Sequence, residues 1–206
     1  MKGTKGWMWV LFFGSLWGIS EVAGGGILYG NNISHSSIIL AVFAFFILAV
    51  ARGIINKPGS SVMIGTIAML FKLINAGPFI CHLLGIFMLG AAFDIFASFL
   101  MKKERKISWR SILTGSISAY SGYALFALTI TYIVQYKYWI AVGLPKVLNH
   151  IFVSGSIAAL LAAVVVPLGF MVGLKSESLS SRNPRWLYAG TLASIVIFWI
   201  VGQFTG

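Results

Sequence analysis

Two carboxylates, Glu21 and Asp94, stand inside long apolar stretches of a chain that has only four acidic residues among 206. A charge at the centre of a membrane helix costs at least about 2.5 kcal/mol on the insertion scale, so each needs a partner or a task. Further polar groups gather where apolar stretches begin or end. Lys72 and Asn75 close one stretch, and His82 opens the next. Tyr132 lies near the end of a later one, Asn149 and His150 open another, and Asn31, Asn32 and His35 follow the first. The chemistry is that of a site for a small polar or zwitterionic solute. Glu21 and Lys72 would offer opposite charges, histidine and asparagine orienting hydrogen bonds, and aromatic rings stacking surfaces. A second chemistry for part of the set is divalent-cation conduction or transport, with Glu21, Cys81, His82 and His150 as ligands.

Catalysis is not expected. By helix rise, Glu21 sits roughly 20 Å into the first stretch while Asp94 sits near the opposite face, too far apart for paired acid/base work. Asp94 is better matched in depth to Arg52 as a structural or coupling charge pair. The Gly24-Gly25-Gly26 run follows a helix and misses the dinucleotide fingerprint, Ser154-Gly155-Ser156 has no nucleophile-elbow context, and no zinc-ligand spacing occurs. Without a Gly-x-x-x-x-Gly-Lys-Ser/Thr loop, any ATP-driven step would need another chain to hydrolyse the nucleotide. The expectation is a non-enzyme with no cofactor and no resident metal.

The elements that must position these groups follow from composition. Hydrophobic side chains make up 59% of the chain and charged ones 9%, against about 25% charged in a soluble domain. Apolar stretches at 7–29, 37–55, 60–74, 78–101, 111–135, 150–173 and 187–204 predict an all-α, polytopic transmembrane helical bundle of six to seven spans, one integral membrane domain over 1–206. The third stretch is short, and the turn Asn75-Ala76-Gly77-Pro78 leaves a re-entrant hairpin with the fourth as an alternative. With the N-terminus cytoplasmic, twelve basic residues, including the Lys102-Lys103-Glu104-Arg105-Lys106 run, fall inside; Lys72, Lys137 and Lys146 fall outside. That bias accounts for the net charge of +11 without nucleic acid. Trp7, Trp9, Trp109 and Trp186 would form an inner aromatic belt, with Trp139 in an outer loop. The first stretch is too long, and carries Glu21, for a cleaved secretory signal. The lone thiol of Cys81 has no internal partner for a disulfide. Gly14 and Gly18 make a Gly-x-x-x-Gly face that lets another helix approach closely, within the chain or on a partner.

Several of these residues together resemble the substrate-binding subunit, or S component, of energy-coupling factor transporters, prokaryotic proteins for vitamin and micronutrient uptake. The likeness covers roughly residues 8–135. It rests on Leu16-Trp17-Gly18-Ile19-Ser20-Glu21, on Asn56-Lys57-Pro58-Gly59-Ser60 with Gly65 and Phe71-Lys72-Leu73, and on Gly90-Ala91-Ala92-Phe93-Asp94. The resemblance implies a subunit of the prokaryotic plasma membrane that captures its ligand from outside and works with a separate transmembrane coupling subunit and two ATPases. In that family an Ala-x-x-x-Ala motif on the first helix meets the coupling subunit, a part that Gly14 and Gly18 would take here. Family pockets lie at the outer side among later helices and loops, which would bring in Lys72, His82, Tyr132 and His150. The family usually has six spans with both ends cytoplasmic. The core would then be about 8–175, with the helix at 187–204 an addition carrying the C-terminus outside.

The leading expectation is therefore a membrane-embedded binding subunit for uptake of a small polar nutrient. The alternatives are a self-sufficient secondary transporter or channel, and a ligand-free scaffold or accessory subunit.

Overall fold

The computed structural model describes residues 4–31, 33, 35–76, 79–101, 108–180 and 184–205. Asn32, the basic run at 102–106 and the side chain of Trp186 lie outside them. The described chain is all helix. α1 starts as Thr4–Ile19, passes through a π turn at Ser20–Gly24 and ends as Gly25–Gly30. Then come α2 (Ser36–Ile55), α3 (Ser60–Asn75), α4 (Ile80–Leu100) and α5 (Trp109–Leu128), the last ending in a π turn at Thr129–Ile133. A short α6 (Lys137–Val142) precedes α7, which runs through Leu144–Leu148, a π turn at Asn149–Ser154 and Gly155–Ser180. α8 is Pro184–Thr205.

Among the described residues four helices are long and apolar enough to cross a membrane, and α3 and α8 are shorter apolar helices. Leu160, Phe99 and Ile133 are 73%, 81% and 77% exposed. Apolar side chains in such numbers around the bundle need lipid, since water-soluble monomers expose only limited apolar patches. The chain is a membrane-embedded, multi-span helical protein.

Neighbour packing closes six helices into a ring in the order α1, α3, α4, α5, α7, α2 and back to α1, with α8 outside it against α1 and the edge of α3. Without a hydrophobic drive between helices in lipid, small residues set the close approaches. A Cβ on Gly53 of α2 would fall 2.7 Å from the Cα of Gly173 on α7. α5 turns the small face Ser111, Thr114, Gly115, Ser118 and Gly122 inward, and a Cβ on Gly115 would lie 2.8 Å from the carbonyl carbon of Ala162. This polar, small-residue helix is what the apolar count passes over.

α3 packs lengthwise between α1 and α4 as a helix of 16 residues. At roughly 24 Å it falls short of a hydrocarbon core of about 30 Å. Its start is held from another helix: Asp94 of α4 accepts the amides of Gly59 at 2.7 Å and Ser61 at 2.9 Å. Those are donors a helix N-terminus otherwise leaves unpaired. The chain enters α3 through Gly59 at φ +85°, a left-handed conformation that favours glycine.

One open alternative is decided and one expectation changes. Gly14 and Gly18 are buried inside the chain, where a Cβ on Gly14 would come 2.6 Å from Ile67 and one on Gly18 2.5 Å from Phe71. The Gly-x-x-x-Gly face is thus occupied by α3, leaving it no room for a partner subunit. Trp139 lies in the connection between α5 and α7, but on the short helix α6 and not in an open loop. α6 folds it down to 7% exposure against Phe126, as part of a second small core with Ala127, Ile130 and Val147.

Candidate functional site

Two buried charge pairs stand near opposite ends of α3, separated by about eleven residues or roughly 16 Å of helix. In the first, Arg52 of α2 lies 3.6 Å from Asp94. Its guanidinium also donates to the Lys57 carbonyl at 2.7 Å and the Ser98 hydroxyl at 3.1 Å. With Arg52 wholly buried and Asp94 engaged by two backbone amides, this node ties α2, α3 and α4 together and leaves little for a solute.

The second pair adjoins a cavity. Lys72 donates to the Glu21 carboxylate at 3.0 Å and to the Glu21 backbone carbonyl at 3.2 Å, and the Trp17 indole donates to the other carboxylate oxygen at 3.2 Å. Trp17, Glu21 and Tyr29 follow the four-residue spacing that keeps side chains on one side of a helix. Glu21 and Tyr29 then border a partly open cavity of about 110 Å³ between α1, α2, α4, α5 and α7. Ser37 of α2, Cys81 and His82 of α4, Tyr123 and Phe126 of α5 and His150 of α7 also line it.

Stacked rings form two of its walls. His82 lies 5.3 Å from Tyr29 with the planes 14° apart, and His150 lies 4.8 Å from Tyr123 at 25°. Trp139 meets the His150 ring edge-on at 5.1 Å, closing that wall from outside the cavity. The Tyr123 hydroxyl donates to the Ser37 carbonyl at 3.4 Å, linking α5 to the start of α2.

Of the residues expected at a binding site, the cavity collects Glu21, His82 and His150. Lys72 stands behind it, its ammonium used by Glu21, and at 5% exposure it does not snorkel. Asn75 turns away: its amide caps the Phe71 carbonyl at 2.8 Å, and its oxygen accepts from Gln203 of α8 at 3.1 Å. Tyr132 is 56% exposed and borders a separate depression with Thr131 and Gln135. Six residues past cavity-facing Phe126, it sits about two-thirds of a turn round the helix. Asn149 is exposed beside His150, because adjacent helical residues point about 100° apart. His35 and Asn31 are exposed at the α1–α2 connection, outside the cavity. Among the described residues no three His, Cys, Asp or Glu side chains converge as a metal-binding group. Glu21, Cys81, His82 and His150 share a cavity without forming a ligand set for a divalent cation.

Sequence reasoning missed Trp17 as the indole that holds Glu21, and Tyr29 and Tyr123 as ring platforms. The spacing 17, 21, 25, 29 carried a signal for the first two. Tyr123 had none, because its partner His150 is 27 residues away in the chain.

The chain matches no protein-family model, no curated protein and no solved structure.

Proposed function

We propose that this chain is the substrate-binding subunit of an uptake system for a small polar nutrient in a prokaryotic plasma membrane, dependent on separate coupling and ATPase chains. The observation that carries the reading is the cavity. Five helices bring a carboxylate, two imidazoles and two phenols to one hollow inside an otherwise apolar bundle, the composition expected of a small-molecule site. In this reading all seven long helices cross the bilayer, α3 by local thinning of the hydrocarbon to its shorter length, the N-terminus is cytoplasmic and the C-terminus is outside. The basic connectors then mark the cytoplasmic face, and the cavity opens toward the exterior. The likeness to S components points the same way and supplies the division of labour, since the sequence has no nucleotide-binding loop of its own.

Native mass spectrometry of the full chain in mild detergent tests the reading. A co-purified small molecule should be present on the wild type and lost from Tyr123→Ala and His150→Ala variants that retain the wild-type elution profile. A bound molecule indifferent to both substitutions would refute the site, and uptake by the purified chain alone in liposomes would refute the need for partner subunits. One observation favours a different reading, a ligand-free accessory subunit: Glu21 and Lys72 already satisfy each other. No adduct under any growth condition would decide for that.

A further inference from the structure

The binding reading leaves the ligand's class open, and three features of the cavity narrow it. Resting on that reading, we infer that the site takes an electrically neutral, single-ring compound that donates a hydrogen bond to Glu21.

Size comes first. A cavity of about 110 Å³ is close to the roughly 150 Å³ that holds one benzene ring in a protein interior, so a second fused ring would have to extend into its opening. Shape comes second. The stacked pairs Tyr29–His82 and Tyr123–His150 put aromatic rings at two walls, and aromatic rings hold planar rings by offset stacking or edge contact.

Charge is the sharpest constraint. The Glu21 carboxylate borders the cavity, but its charge is matched by Lys72 at 3.0 Å with both side chains nearly buried. Among the described residues neither cavity imidazole pairs with a carboxylate. A cationic ligand would have to displace Lys72 into an apolar bundle. An anionic one would meet Glu21 with no spare cation beside it. Either leaves a buried charge unmatched, the arrangement proteins tolerate least. Glu21 remains a good acceptor, because a carboxylate has about four lone-pair sites and only two are used here, by Trp17 and Lys72.

Benzamide, benzoate and benzamidinium are near-isosteric single rings of charge zero, minus one and plus one, and 2-naphthamide adds a second ring at zero charge. Cys81, the only cysteine of the chain, borders the cavity, so its alkylation by N-ethylmaleimide reports occupancy of this site. Melting temperature of the full chain in detergent gives a second readout. Benzamide should protect Cys81 and raise the melting temperature at concentrations at least tenfold below those needed for the other three. Equal or stronger action by benzoate, benzamidinium or 2-naphthamide would overturn the inference, as would no effect from any of the four. A co-purified small molecule lost with Tyr123→Ala would leave the binding reading standing in either case. In Lys72→Met the unpaired Glu21 should shift preference at least tenfold toward benzamidinium, and an unchanged order would overturn the charge argument. The wild-type series decides independently of whether that variant folds.

Discussion

Removing one partner of the Glu21–Lys72 pair gives the largest stability change that the geometry supports. Both side chains are below a tenth exposed, so solvent screens the interaction little. Lys72→Met leaves the carboxylate with the Trp17 N–H alone, and Glu21→Gln leaves a buried ammonium facing a neutral amide. Breaking a buried pair by removing one partner costs about 3–5 kcal/mol, whereas replacing both by neutral groups of similar volume is often close to neutral. Each single variant is therefore expected to lose about 3 kcal/mol or more. The double variant Glu21→Gln/Lys72→Met should lose less than either, for a coupling of at least about 3 kcal/mol by double-mutant cycle. The assay is reversible unfolding in mixed micelles, followed by the fluorescence of the seven tryptophans. Losses that add to within about 0.5 kcal/mol would show that the two groups do not share one buried interaction, and would remove the premise that the cavity's carboxylate is already neutralised.

Two further outcomes test the frame around the cavity. Asp94→Ala removes the acceptor for the Gly59 and Ser61 amides together with the counter-charge of Arg52. It should lower stability by about 3 kcal/mol or more, and Asp94→Asn by less, since the amide oxygen still accepts one N–H; equal losses in the same unfolding assay would contradict the capping role. Ending the chain after residue 183 removes α8, which holds the ring through the Trp199 bond to Ser15 at 3.0 Å and the Trp199–Phe71 contact. The six-helix ring should still elute as a single species with Cys81 alkylated at the wild-type rate, and aggregation on size exclusion would show that α8 belongs to the core.

Helix positions were legible because lipid leaves the backbone no alternative: an apolar stretch at membrane depth must satisfy its own hydrogen bonds. The stretch read as 37–55 is Ser36–Ile55, and that read as 60–74 is Ser60–Asn75. α6 was not legible, because six residues in a short connector are too few to give a periodic signal. Trp139 is buried there by contact with Phe126 and His150, not by its own segment's pattern. The site was legible in its chemistry and not in its pairing. Glu21 and Lys72 were both singled out, but two ionisable residues 51 positions apart read equally well as two arms of a ligand site or as one ion pair. Asn75 and Tyr132 were placed by depth alone, and depth says nothing about which way a side chain faces round its helix.

The π turns connect these points. Two of the three among the described residues carry cavity groups, Glu21 in Ser20–Gly24 and His150 in Asn149–Ser154. The third ends α5 just past Phe126. In an unbroken α-helix, residues four apart overshoot a full turn by about 40°, so over the twelve residues from Trp17 to Tyr29 the face would drift by about 120°. A turn whose hydrogen bonds span five residues is wider and lags instead of overshooting. Set at Ser20–Gly24, it brings Glu21 and Tyr29 to the same hollow while Ile27 stays 63% exposed on the outer side. It also changes the backbone bonding: the Gly25 amide turns to the Val22 carbonyl, and the Glu21 carbonyl receives the Lys72 ammonium. The irregularity that aims the carboxylate at the cavity thus helps to hold the cation that neutralises it, so the aim is set by the backbone of α1 and the charge balance by Lys72.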